Sequence, residues 1–270
     1  MFYGICAGSI EDALSIGEKH NLTAMQIFTS DPYKFNTSLD EAFKLADRVK
    51  ASKVKLVSHA SLVSNLVSDK PKTRTFSINN LVVELARCRV LNIDHVVVHP
   101  GSTDAANGVE LLAESILKVK EKIELKGRPF IKNFCIENMV DSGDHIMTHP
   151  EDFIKLFTSD SITTLPENIG ITLDTAHCWG AGVKPSDFIK DLEDTGIAGR
   201  LRVIHYNNTL SEFNSHKERH SELSSGQIPE EETLFIASYI KKRDDIIAIE
   251  EQPKNSDEIL TVNYLKECLN

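Results

Sequence analysis

The chain has 270 residues, 41% hydrophobic and 26% charged, the balance of an ordinary globular protein with a full core, and no apolar run is long enough to cross a membrane. Its formal net charge of −10 excludes binding of nucleic acid through a globally basic surface, although carboxylates that gather divalent cations would reverse the field locally. Five cysteines without a CxxC pair argue against a disulfide framework. Together with an N-terminus, MFYGICAGSIEDAL, that has no basic segment ahead of an apolar run, they predict an intracellular protein, cytoplasmic or nuclear.

Taken in chain order, short β-branched runs recur: FYGIC (2–6), TAMQIF (23–28), KVKLVSH (53–59), HVVVH (95–99), FIKNFCIE (130–137), GITLD (170–174), LRVIHYN (201–207) and DIIAIE (245–250). Their length and residue types predict strands. Segments of helical period lie between them. In SINNLVVELARCRVL (77–91) Leu81, Leu85 and Cys88 fall on one face, and GVELLAESILKVKEKI (108–123) repeats the pattern. No Pro/Gly/Ser-rich linker interrupts the alternation, so residues 1–270 are expected to form a single-domain α/β protein, a (β/α)8 TIM barrel, with a doubly wound open sheet as the alternative.

The strand ends favour the barrel, in which eight C-terminal ends converge on one mouth. Six successive strands finish on His59, His99, Glu137, Asp174, His205 and Glu250. Singly, such a histidine is a hydrogen-bonded rim residue and such an acid caps the next helix. Six in a row, where burial favours Val or Ile, are not explained by packing. Three imidazoles and three carboxylates form a mixed N/O set that suits Zn2+ or Mn2+ better than Ca2+.

Further candidates follow the strands. His177 stands three residues after Asp174, entering the next loop on the same side. In HYNNTLSEFNSHKERH (205–220), Glu218 and His220 alternate across Arg219, which puts both side chains on one side of an extended segment, within reach of an ion shared with His177. Alone, ERH reads as a charged loop. Trp179 is expected to pack under a loop, His95 to lie at the wrong end of the barrel, His216 to be an exposed loop residue and Cys178 a buried thiol.

The pieces SHASLVSNL (58–66), VVVHPGS (96–102), IEN (136–138), LDTAHCWGAG (173–182), HYN…ERH (205–220) and IEEQP (249–253) occur together in an order that resembles the endonuclease IV family of abasic-site endonucleases, within the xylose-isomerase-like barrels. The resemblance implies three Zn2+ ions, with Mn2+ as an alternative at one site. His59, His99 and Glu137 would hold the first. Glu137, Asp174, His205 and Glu250 would hold the second, and His177, His220 and Glu218 the third, with Glu218 where the family usually has aspartate. It further implies a monomer that hydrolyses the phosphodiester 5′ to an abasic site in duplex DNA, in base excision repair. Bound metals would make hydroxide available at neutral pH, and Glu137 and Glu250 would orient the attacking water. A missing base makes flipping the lesion out of the duplex less costly.

The loops that would meet DNA depart from the family. GICAGS (4–9) replaces a His-containing loop. TSDPYKF (29–35) has Tyr33 where an arginine is common, Leu62 stands for an aromatic, Asn208 for an aspartate, Asn214 for a glycine, and DSG (141–143) for Gly-Gln-Gly. Tyr33, Leu62 and Arg219 are the expected DNA contacts. Two rivals remain at this point. A single-metal sugar isomerase or epimerase would need only Glu137, Asp174, His205 and Glu250, and a noncatalytic DNA-binding barrel would keep the ligands without activity.

Overall fold

A computed structural model describes residues 1–34, 38–253 and 256–269. The eight runs become β1 (Phe2–Ile5), β2 (Ala24–Phe28), β3 (Lys55–His59), β4 (His95–Val98), β5 (Asn133–Glu137), β6 (Ile169–Asp174), β7 (Leu201–His205) and β10 (Ile247–Glu250), with a two-residue ribbon, β8 (Asn208–Thr209) and β9 (His220–Ser221), inserted before the last. Helices α1 (Ile10–His20), α2 (Asp40–Ala51), α3 (Pro71–Val90), α4 (Gly108–Glu124), α5 (Pro150–Thr158), α6 (Thr175–Gly180), α7 (Pro185–Asp194), α8 (Glu230–Lys241) and α9 (Glu258–Leu269) fill the connections. Among the described residues, no helix is long and apolar enough to cross a membrane.

The eight long strands are parallel and hydrogen-bonded in the order β1-β10-β7-β6-β5-β4-β3-β2. The two end strands meet, which decides against the open sheet. Thr23 N donates to Tyr3 O at 3.1 Å and Ala7 N to Gln26 O at 2.9 Å. Glycine is needed at this seam: a Cβ on Gly4 would overlap the Ala24 carbonyl, so any larger residue would push β1 off β2.

Alternation along each strand sorts side chains between two cores. Ala24, Val57, Val97, Cys135, Val203, Ile247 and Ile249 pack together inside the barrel, while Ile5, Ile27, Leu56, Val96, Val98, Phe134, Ile136, Ile171, Ile204 and Ala248 belong to the larger layer under the helices. Helix α3 places Leu81, Leu85 and Cys88 in that layer and α4 places Leu112, Ile116 and Val119 there; each such aliphatic side chain contributes roughly 1.5–3 kcal/mol on burial. Local signals set the helix starts. Ser9 Oγ accepts from Asp12 N at 3.1 Å to cap α1, and Pro71, Pro150 and Pro185 open α3, α5 and α7.

Candidate metal centre

Two residues beyond five of the inward-facing side chains, the barrel interior carries metal-ligand residue types. Val57 is followed by His59, Val97 by His99, Cys135 by Glu137, Thr172 by Asp174 and Val203 by His205. All five therefore share one mouth. Asp174 also caps α6, its Oδ1 accepting from His177 N at 2.8 Å. His177 lies in that short helix, where the sequence suggested a loop, because the aspartate at the strand end starts the helix at once.

Three groups of donor atoms are linked by shared residues, the atoms of each within 4.8 Å of one another: His59, His99 and Glu137; Glu137, Asp174, His205 and Glu251; and Asp174, His177 and His220. Glu137 serves the first two, with Oε2 at 3.2 Å from His59 Nε2 and 3.1 Å from His99 Nε2, and Oε1 at 2.8 Å from His205 Nδ1. Asp174 serves the last two, with Oδ2 at 3.7 Å from His205 Nδ1 and 3.6 Å from His220 Nε2. Glu218 joins the third group from its half-exposed side, Oε2 at 3.0 Å from His177 Nε2 and Oε1 at 3.5 Å from His220 Nε2.

The hydrogen bonds behind these groups fix which ring nitrogen faces inward. His59 Nδ1 lies 2.8 Å from Ala60 O and His177 Nδ1 2.8 Å from Asn138 O. A carbonyl only accepts, so both Nδ1 atoms are protonated and each Nε2 turns toward the carboxylates. His205 Nε2 donates to Gln26 Oε1 at 2.8 Å, since Gln26 Nε2 is itself donating to Glu251 Oε1 at 2.6 Å, and this leaves His205 Nδ1 facing Glu137 and Glu251. Two amides complete the frame. Asn138 Oδ1 accepts from Asp174 N at 2.6 Å, and Asn207 Nδ2 donates to Asp174 Oδ2 at 2.7 Å and Glu251 Oε2 at 3.2 Å.

In the neutral tautomer each inward nitrogen sets a lone pair against carboxylate oxygens, a repulsive arrangement that a second proton or a shared cation relieves. Burial lowers the affinity of His59, His177 and His205 for a second proton, yet the facing carboxylates outweigh it and raise all three. Burial likewise works to raise Glu137, and the imidazoles of His205 and His99 hold it well below the usual carboxylate range. A divalent cation fits the same positions. His177 Nε2 and His220 Nε2 are buried, and the Glu218 oxygens that face them at 3.0 and 3.5 Å lack hydrogen-bond geometry. Ligand atoms about 2.0–2.1 Å from a tetrahedral Zn2+ stand ~3.3 Å apart, close to the 3.1–3.2 Å found between Glu137 and its two histidines in the first group. His59, His177 and His205 each have an outer partner on the other ring nitrogen, the arrangement that orients a ligand.

Of the residues picked from the sequence, His59, His99, Glu137, Asp174, His177, His205, Glu218 and His220 are brought together here, and Glu250 is not. It belongs to the outer face of β10, buried, with Oε1 accepting from Leu223 N at 3.0 Å, and burial pushes its carboxyl up to about 7. Glu251 takes the inward place. The reason is the strand period: Ile247 and Ile249 face inward, so the next inward residue is 251, and 250 points to the helices. Gln26, Asn138 and Asn207 were also missed. The same parity from Ala24 would have found Gln26, whereas the two asparagines sit just past the strands, where no period applies.

At the rim, Leu62 N donates to Pro32 O at 3.0 Å, which sets Leu62 beside exposed Tyr33. Arg219 is exposed between Glu218 and His220. Asn214 adopts φ 59°, a left-handed conformation that explains why glycine or asparagine suits this position. Trp179 is buried against Phe213, with ring centroids 4.7 Å apart, His216 is exposed and lies 2.7 Å through Nδ1 from Asp141 O, Cys178 is buried, and His95 stands at the opposite end of β4.

A family model described as the xylose isomerase-like TIM barrel matches residues 14–263. A protein named probable endonuclease 4 from Oleidesulfovibrio alaskensis is 30% identical over 234 residues, 83% of this chain and 78% of its own length. Among solved structures, endonuclease IV from Thermus thermophilus superposes with a TM-score of 0.81 at 23% identity over 100% of this chain and 99% of its own. A D-tagatose 3-epimerase-like protein does so with a TM-score of 0.75 at 22% identity, over 100% and 97%. These two likenesses carry the fold, which nuclease and epimerase share, and the sequence relationship separates them: the chain belongs to the endonuclease IV family of xylose isomerase-like TIM barrels.

Proposed function

We propose that this protein is a zinc-dependent abasic-site endonuclease that hydrolyses the phosphodiester 5′ to an abasic site in duplex DNA, as a step of base excision repair. The observation that supports it most is the run of three donor groups joined through Glu137 and Asp174. One ion would be held by His59, His99 and Glu137, a second by Glu137, Asp174, His205 and Glu251, and a third by Asp174, His177 and His220 with Glu218. Bound divalent cations would supply a nucleophilic water at neutral pH and neutralise charge on the phosphate and leaving oxygen.

The side chains of this chain have separate tasks. Glu137 and Glu251 present carboxylate oxygens to the same small volume, so they orient the attacking water and accept its proton. Asn207 and Gln26 hold those carboxylates in place through the hydrogen bonds above. Cations held in this array would also offset the net negative charge of the chain at the point where a phosphate must approach. Tyr33 and Leu62 on one rim and Arg219 on the other flank the mouth, suited to contact DNA on either side of an extruded nucleotide; an abasic site has no base to unstack and is flipped most easily.

The second group, Glu137, Asp174, His205 and Glu251, would by itself serve a single-metal sugar epimerase, but such an enzyme leaves His59, His99, His177 and His220 without a task. Incubation of metal-loaded protein with a duplex carrying one synthetic abasic site tests the reading. Incision 5′ to the site that disappears on prolonged chelation is expected. An intact strand alongside conversion of free ketoses would overturn it.

A further inference from the structure

We propose that Glu250 and Asn208 are positioning residues for the third group, gripping the backbone of Leu223 through both its N–H and its carbonyl so that the segment carrying Glu218 and His220 stays over the mouth. The inference deepens the cation-binding reading above and rests on it. The first two groups are built mainly at the ends of barrel strands, which the sheet holds rigidly. Glu218 and His220 instead come from the long connection between β7 and α8, whose regular structure is the two-residue pairing of β8 with β9. Something else must hold that connection.

Leu223 offers one donor and one acceptor, and each finds a buried side chain. Its N–H donates to Glu250 Oε1 at 3.0 Å, and its carbonyl accepts from Asn208 Nδ2 at 3.3 Å. Glu250 is 1% exposed and Asn208 4%. Burying a carboxyl is costly unless hydrogen bonds compensate it, and Glu250 Oε2 has no hydrogen-bond partner, so the tether to Leu223 is the compensation on view. Asn208 does more. Its Oδ1 accepts from Thr209 N at 2.8 Å and Ile228 N at 3.0 Å, pinning the two ends of the excursion to each other. The chain wraps so closely round this amide that a Cβ on Gly226 would overlap it.

Between these anchors the backbone next to His220 is also fixed. Thr209 pairs with His220, and the carbonyl of Arg219 accepts from both Thr209 Oγ1 at 2.9 Å and Leu210 N at 2.8 Å. The amide at 208 is chemically required: an aspartate could accept from Thr209 and Ile228 but could not donate to Leu223 O, and it would add a second carboxylate on the other side of the same residue. The departure from the family's usual aspartate and the unexpected outward turn of Glu250 thus belong to one device.

The test counts zinc by atomic emission in the purified full-length protein and follows its release to a chromophoric chelator. The wild type is expected to hold three ions. Glu250→Ala and Asn208→Ala are expected to lose one of the three at least ten-fold faster, with the other two leaving at wild-type rates, and the Co2+-loaded variants to lose one ion's share of the visible absorption. Glu250→Gln keeps an acceptor for Leu223 N and should restore slow release; His220→Ala provides the reference for a lost third site. Should Glu250→Ala fail to fold, Asn208→Ala carries the test. Unchanged release in the alanine variants, or Glu250→Gln as impaired as Glu250→Ala, overturns the proposal. A wild type that holds only one or two ions removes the cation reading beneath it, a different result from three ions released without regard to residues 208 and 250.

Discussion

Glu250 and Glu251 are adjacent in the chain and face opposite sides of the barrel wall: Glu251 Oε2 lies 3.2 Å from His205 Nδ1 inside the mouth, while Glu250 Oε1 holds Leu223 N outside it. Glu251→Ala is therefore expected to weaken the second group directly, lowering bound metal by one ion and slowing incision on the order of 10²–10⁴-fold, as loss of a positioned general base does. Metal analysis with single-turnover incision kinetics measures both. A variant with full metal content and near-normal rate would place the chemistry elsewhere.

Glu137 is shared between two groups, so on the proposed reading Glu137→Gln is expected to stop incision while duplex binding, measured by fluorescence anisotropy, changes less than about three-fold, since contacts to the DNA backbone generally position a protein on the duplex. An active Glu137→Gln enzyme would remove this residue from its proposed role.

Gln26 fixes the tautomer of His205 from behind, with Oε1 accepting at 2.8 Å. Gln26→Leu frees His205 Nε2 and leaves Glu251 Oε1 without its 2.6 Å donor. Metal affinity should fall about 10–100-fold, the usual cost of losing an orienting partner, and competition against a chelator of known strength reads this. Unaltered affinity would mean that the ring is held by the strand alone.

Away from the mouth, burial pushes the His95 imidazole down to about 4, and its Nε2 lies 3.0 Å from Asn133 Nδ2. The folded state thus resists a proton that the unfolded chain takes up near pH 6.5. The contribution is fully present above pH 6.5 and is lost as pH falls toward 4, by up to ~3 kcal/mol at about 1.4 kcal/mol per unit. Denaturant titrations of wild type and His95→Gln at pH 7 and pH 4.5 should show a smaller acid loss in the variant; parallel losses would assign acid sensitivity to other groups.

At the seam, Gly4→Ala is expected to cost about 2–4 kcal/mol, since backbone rather than a flexible side chain stands in the way. For a chain of this size that is a drop in Tm of roughly 5–15 °C, accessible to calorimetry. A shift within 2 °C would show that the seam can relax.

The strands were legible because parallel-sheet burial demands β-branched runs, and the runs at 2–6, 95–99 and 201–207 overlap the observed strands to within two residues. Their polar endings were legible for the same reason, since His59 or Asp174 is out of place at the end of such a run. Choosing between Glu250 and Glu251 required the inside–outside period to be carried past the last apolar residue, and composition alone favours neither. The β8–β9 ribbon was hidden because two residues carry no period. Asn138 and Asn207 act through contacts with residues 32 to 44 positions away, distances at which a local pattern says nothing.

Gln26 has a consequence beyond the tautomer of His205. It sits on β2, at the seam, and its side chain reaches His205 on β7 and Glu251 after β10, strands with which β2 is not paired in the sheet. The mouth is thus braced by chords across it as well as by pairing round its circumference. A barrel wall that opened between β1 and β2 would have to release this brace, so breathing of the seam and loosening of the donor array are one cooperative event. Amide exchange at the seam becomes a remote gauge of whether the mouth is intact.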